Sequence, residues 1–82
     1  MKVCIMNLER GDDSFRFLKE MELSRIPTIG EKIFIEEKNI ATYVFNVVDV
    51  HFADNEFTDV FVINAGKQED YFRNLASIHA LK

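Results

Sequence analysis

Residues 40–63 read IATYVFNVVDVHFADNEFTDVFVI, and this stretch decides the fold. It is dense in β-branched and aromatic residues, the types that are enriched in strands, and only the short run ADNE at residues 53–56 interrupts it. Two such runs on either side of a short polar break are typical of a hairpin. The stretch therefore predicts two long strands joined by a turn.

In the first of these strands the large apolar side chains do not follow a single two-residue alternation. Tyr43 and Phe45 point to one face by two-residue alternation, whereas three later apolar residues point to the other: Val48, Val50 and Phe52. One extra residue near Asn46, a β-bulge, would bring both sets to the same face. Because bulges bend and twist strands, this pattern predicts a curled sheet. Core packing is the favoured explanation for the eight phenylalanines of the chain.

Alternation also marks the segment before the Pro27 turn. The residues from Phe15 to residue 24 mostly alternate between apolar and polar, which predicts a strand. A helix is the alternative interpretation, because Phe15, Leu18 and Met21 lie near one helical face among good helix formers.

Helical spacing begins after residue 66. Tyr71, Leu75 and Ile78 are four and three residues apart, with Phe72 adjacent, and the first turn is acidic, as the helix dipole favours. This apolar stripe has three interpretations: it docks on the sheet, caps an open barrel end, or joins a second copy. The first two are favoured because a lone helix has little stability without tertiary burial.

These patterns predict a mainly β (α+β) fold. We expect five strands in a strongly bent, mostly antiparallel sheet or SH3-like partial barrel, followed by a C-terminal helix. With 82 residues the chain is too short for a second independent core, so residues 1–82 are expected to form a single domain. The strands are predicted over about residues 2–8, 15–24, 32–36, 41–52 and 57–64, and the helix over about 68–79.

Charge is unevenly distributed along a chain of formal net charge -4. The long hairpin contains no Lys or Arg between Ala41 and Gly66, so it would repel a phosphate backbone, and a basic protein partner suits it better. Nucleic-acid binding through the first hairpin and the Pro27 loop is the alternative. The positive charges available there are Arg16, Lys19, Arg25 and Lys32.

One set of polar residues in the hairpin has metal-binding or proton-transfer chemistry. Asp49 and His51 alternate along the first strand, and a turn centred on Asn55 would place Asp59 opposite His51. The favoured interpretation is an outward polar face, because no second histidine is placed to complete a ligand set. We therefore expect no catalytic, cofactor or metal site, and the candidate binding surface is Asp49, His51, Glu56 and Asp59, with a sheet edge as the alternative contact surface.

Cys4 is the only cysteine, so the chain cannot form an internal disulfide. Flanked by Val3, Ile5 and Met6, its thiol is expected to behave as a small buried apolar group rather than a nucleophile. A lone thiol indicates a reducing compartment, and no window approaches the roughly 20 apolar residues of a membrane span. A cytoplasmic location is predicted.

Two motifs resemble a loose group of small uncharacterised bacterial and phage-associated proteins with SH3-like bent sheets or barrels. They are IPTIGEKI at residues 26–33 and YxFxxVxVH from Tyr43 to His51. The resemblance covers residues 1 to about 64 and implies a scaffold without any catalytic residues. The C-terminal helix departs from it.

The sequence predicts a small non-catalytic interaction module that binds a protein partner or self-associates as a homodimer. The alternative is a nucleic-acid-binding small barrel. A small enzyme or metal protein that uses Asp49, His51 and Asp59 is the third hypothesis.

Overall fold

A computed structural model describes residues 1–54 and 57–80 of the chain. Five strands form one mixed sheet in the order β2-β1-β5-β4-β3, curled into a half-barrel, and one helix follows. This confirms the predicted mainly β fold with a C-terminal helix. The elements are β1 (Lys2–Leu8), β2 (Arg16–Glu22), β3 (Lys32–Glu37), β4 (Ala41–Phe52), β5 (Thr58–Lys67) and α1 (Gln68–Ala80).

β2 is the segment for which a helix was the alternative interpretation. It forms a strand that pairs with β1, so the helical interpretation is wrong there. β2 nevertheless breaks its ladder once, because Ile5 pairs with Lys19 and Met6 pairs with Phe17, which leaves Leu18 as an extra residue. This bulge explains why the apolar residues of β2 do not alternate cleanly.

β4 and β5 form the predicted long hairpin, and β4 contains the predicted bulge at a shifted position. The extra residue is Val48, two residues after Asn46, between the pairs Val47↔Val62 and Asp49↔Phe61. The bulge does bring Tyr43 and Phe45 to the same face as Val50, since all three pack in or against one core cluster. Val48, the extra residue, is only half-buried, and Phe52 shares the face of Val50 but is 73% exposed at the end of β4, so neither of them belongs to the core.

The core lies on the inner face of the half-barrel and is aliphatic. β-branched side chains fit a tightly curved, pleated surface, and they supply nearly all of it. Of the phenylalanines in the described ranges, only Phe45 is buried, so core packing does not explain the others. The core cluster is Val3, Ile5, Ile33, Ile35, Phe45, Val47, Val60 and Val62.

β1 lies between the edge strand β2 and the central strand β5. It pairs with β2 in antiparallel fashion on one side and with β5 in parallel on the other. The remaining pairings among the described residues, β3 with β4 and β4 with β5, are antiparallel, which agrees with the expected mostly antiparallel sheet. This arrangement leaves β2 and β3 as the two edges of the half-barrel.

The connection from β2 to β3 is held by one carboxylate. Glu31 accepts hydrogen bonds from the Thr28 N–H (2.6 Å) and the Thr28 hydroxyl (3.0 Å), and both terminal nitrogens of Arg25 contact its two oxygens. Gly30 permits the turn with a φ of 96°, and its N–H donates to the Val47 carbonyl at 2.8 Å. The predicted Pro27–Gly30 turn is thus tied to β4.

The Glu31 cluster gives the fold a specific acid sensitivity. Hydrogen bonds from Arg25 and then from Thr28 lower the pKa of Glu31 from 4.5 to about 2. A carboxyl group whose pKa is lower in the folded state stabilises the fold fully above the unfolded-state value, and this contribution is lost as pH falls through the folded value.

We expect the denaturant midpoint of the wild-type chain to fall between pH 4.5 and about 2, and the fall to be smaller in Glu31→Gln. Urea titrations at a series of pH values measure this. Glu37→Gln removes a carboxylate that makes no hydrogen bond among the described residues. In this variant the denaturant midpoint should fall with pH as steeply as in wild type. If the denaturant midpoint falls equally with pH in wild type and Glu31→Gln, the Glu31 carboxylate does not cause the acid sensitivity.

Candidate functional site

The acidic hairpin face was the predicted binding surface, and the structure brings most of it together. Nε2 of His51 lies 2.9 Å from Oδ2 of Asp49, whose other oxygen accepts the Val50 N–H at 2.9 Å. The His51 hydrogen bond, followed by that of Val50, lowers the pKa of Asp49. Both side chains are exposed, so solvent screens this pair and it contributes little to stability.

Asp59 lies directly opposite His51 on β5, as the turn position predicted. The His51 ring packs against Phe61 with centroids 4.4 Å apart, and Phe61 meets Phe15 edge to face at 5.1 Å. Glu56, the fourth residue of the predicted surface, lies outside the described residues. Within the described ranges, no group of three or more His, Cys, Asp or Glu side chains is arranged to hold a metal ion.

Cys4 extends this polar row across the sheet, which sequence reasoning missed. Its cross-strand partners are Glu20 on β2 and Asp59 on β5. Desolvation, then the charge of Asp59 and then that of Glu20, raise the pKa of the Cys4 thiol. Carboxylates beside a thiol disfavour the thiolate, so this row opposes nucleophilic chemistry at Cys4. The sequence could not predict these neighbours of Cys4, because it does not show the parallel register of β1 with β5.

The basic residues of the nucleic-acid alternative are largely engaged within the protein. Arg25 is paired with Glu31, Arg16 lies 3.9 Å from Asp12, and Nζ of Lys32 donates to the Gly30 carbonyl at 3.0 Å. Lys19 lies apart from them, in a cavity between β2 and β3. The four cations therefore do not form one continuous surface with free charges.

The helix meets the sheet through an aromatic cluster. Phe34 of β3 lies on the outer face, opposite the core, with its ring centroid 6.2 Å from Tyr71 and 5.6 Å from Phe72. Tyr71 and Phe72 are 5.5 Å apart. These contacts fix the beginning of α1 on the outer face, next to the fully buried Val44.

Beyond this cluster the apolar side of α1 is uncovered. No described residue of the helix is buried. Three apolar residues at three-residue spacing, which we call the helix stripe, are exposed: Phe72, Leu75 and Ile78. Docking on the sheet, one of the two favoured predictions, therefore accounts for the start of the helix, where Phe72 contacts Phe34, and leaves Leu75 and Ile78 exposed.

The arrangement as a whole offers surfaces for binding. No described helix is long and apolar enough to cross a membrane. Comparison of the chain with protein families, with curated proteins and with solved structures gives no match.

Proposed function

We propose that this chain is a non-catalytic interaction module that self-associates through the helix stripe. The observation that carries the proposal is a helix with an apolar stripe and no buried residue. A helix of 13 residues is marginal in water on its own and takes most of its stability from burying an apolar face. Because its own sheet covers only the first turn, a second surface is needed.

The total exposed area indicates how much surface is left to cover. The chain exposes 5988 Å², whereas a folded monomer of 9.6 kDa exposes about 5,100 Å². The excess of roughly 900 Å² is close to the ~800 Å² that each partner contributes to a standard protein interface. The radius of gyration of 13.8 Å also exceeds the ~12 Å of a compact domain of this length.

A second copy fits the stripe because the stripe is complementary to itself. When two helices pair antiparallel about a two-fold axis at Leu75, each Phe72 lies opposite the partner's Ile78. Asn74 and Ala76, which flank Leu75 at the centre of this seam, carry no charge, so like charges do not face each other there. The acidic first turn of each helix lies near His79 in the last turn of the other.

We also propose that the module works in the cytoplasm. Its single thiol, Cys4, has a raised pKa and no second cysteine with which to pair, so the fold needs no oxidising compartment.

The oligomeric state tests the proposal. We expect wild type to elute with twice the monomer mass of 9.6 kDa by light scattering and to dissociate on dilution, with loss of helical signal in circular dichroism. Leu75→Asp should be monomeric at concentrations where wild type is dimeric, because a carboxylate at the two-fold axis faces its own copy.

Ser77→Asp is the matched control, because it adds the same charge on the side of α1 that lies opposite Leu75. It should remain dimeric. A wild-type chain that is monomeric at every concentration, or a Ser77→Asp variant that dissociates as readily as Leu75→Asp, would overturn the proposal.

A further inference from the structure

The half-barrel has an open side between its two edge strands. In an antiparallel pair, alternate residues turn their N–H and C=O groups to the neighbouring strand and the others turn theirs away. The Val47 N–H donates to the Glu31 carbonyl at 2.9 Å, which fixes the alternation along β3. The β3 residues that turn backbone groups to the open side are Lys32, Phe34 and Glu36.

β2 borders the open side less regularly. The Leu23 N–H donates to the Met1 carbonyl at 2.8 Å, so by the same alternation Glu20 and Glu22 turn their backbone groups outward. The extra residue Leu18 then interrupts the ladder. β3 pairs with β4 without any shift in register, so β3 offers the better template for an additional strand.

The space beside β3 is large and its floor is apolar. A cavity of about 830 Å³ opens between β2 and β3, and we call it the mouth. A second cavity of about 330 Å³ lies at the other end of the same gap, between Met21 and Ile33. The mouth is lined by the buried core side chains Ile35 and Phe45 and by the exposed side chains Leu18 and Ile40, and charged residues such as Lys19 and Lys38 stand around them.

The outer rim of the gap is acidic. On the outer face beside the gap, Glu20, Glu22 and Glu36 stand against one ammonium group, Lys32, whereas side chains of both signs, Lys19, Glu37 and Lys38, line the mouth itself. Nζ of Lys32 is bound to the Gly30 carbonyl, and Glu22 is paired with the chain's N-terminus at 3.0 Å. The carboxylates left without an ion pair among the described residues are Glu20, Glu36 and Glu37.

We propose that the open side binds an extended peptide in which apolar and basic residues alternate. The peptide adds a sixth strand to the free edge of β3, so that its main chain bonds to Phe34 and Glu36. Alternate side chains point to opposite faces of a strand, which directs the apolar ones into the mouth and the basic ones to the outer rim beside Glu20 and Glu36. The edge of β3 lies close to the contact between Phe34 and Phe72, but the peptide bonds to the main chain of β3 and not to the helix stripe, so binding does not depend on self-association.

A fluorescent peptide of about eight residues that alternates lysine and valine is long enough to span β3 and serves as the probe. We expect its anisotropy to rise on titration with the chain, and the affinity to fall as salt increases. Two control peptides should bind at least about tenfold more weakly: one with the same residues in two blocks, and one with aspartate in place of lysine.

Two substitutions at position 36 separate the contribution of main-chain hydrogen bonds to peptide binding from the contribution of charge. Glu36→Ala and Glu36→Pro both remove the carboxylate, but only the proline removes the N–H that faces the gap, and proline is tolerated on edge strands. Glu36→Pro should bind the probe about tenfold more weakly than Glu36→Ala, with an unchanged circular dichroism spectrum. Leu75→Asp should bind it as wild type does.

Three results would overturn the proposal. One is equal binding of the alternating and block peptides, which indicates attraction by charge alone. Another is equal affinity of Glu36→Ala and Glu36→Pro. The last is no anisotropy change with wild type at low salt.

Discussion

Replacing Ile5 with alanine is expected to lower the free energy of unfolding by about 2–5 kcal/mol. Ile5 is fully buried in the middle of β1, which lies between β2 and the central strand β5. Its cross-strand neighbours are Lys19 and Val60. Truncation removes the transfer free energy of three carbons and leaves a cavity that the strands on both sides cannot close. Domains of this size have only about 5–10 kcal/mol in total, so the variant should be close to unfolding.

Urea denaturation at one fixed protein concentration measures this loss and keeps self-association constant. Ile29→Ala is the matched control, since it makes the same truncation at a side chain that is 66% exposed. It should cost no more than about 0.5 kcal/mol. Similar losses at the two positions would mean that β1 is not at the centre of the core.

The elements were predictable because local patterns determine them. Alternation over β4 and β5 and the three-and-four spacing in α1 arise from residues near each other in sequence, and the structure has these elements there. The bulge was predicted from the out-of-step Tyr43 and Val50, although the pattern could not decide which residue is the extra one. The structure places the extra residue at Val48.

Features that depend on distant pairing were out of reach. The parallel register of β1 with β5 places Cys4 beside Asp59, and nothing local to either residue indicates it. The exposed rings of Phe17 and Phe52 were assigned to the core because size and hydrophobicity alone favour burial. Phe17 follows the bulge of β2 onto the face away from the core, and Phe52 lies at the end of β4, and neither position is visible in the sequence.

Among the candidate surfaces too, those set by local patterns were predictable and those set by distant strand pairing were not. Asp49, His51 and Asp59 were placed on one face from strand parity and the hairpin turn, and the structure agrees. A sheet edge was an alternative contact surface from the sequence, but the open side between β2 and β3 could not be identified, because it depends on the order of the strands. The helix stripe was visible in the sequence, but its exposure depends on where Phe34 holds the first turn.

Gly66 connects the sheet to the helix in a conformation that side chains disfavour. Its φ is 100°, and its N–H donates to Oδ1 of Asn64 at 2.7 Å. The ladder between β4 and β5 is irregular here, since Phe45 pairs with Asn64 but Tyr43 pairs with Lys67. An added Cβ at Gly66 would meet no atom within 4 Å, so any cost of a substitution comes from the backbone rather than from a clash.

Gly66→Val is therefore expected to lower the free energy of unfolding by about 1–3 kcal/mol, because a β-branched residue must leave this φ or bear the strain. Relaxation of the backbone would also turn α1 away from Phe34, so the variant should dimerise more weakly in sedimentation experiments. Ala65→Val places the same side chain on the preceding residue, which is exposed and has no positive φ, and should change neither quantity appreciably. If both variants lose the same stability, side-chain size rather than backbone conformation is responsible, and Gly66 does not set the direction of the helix.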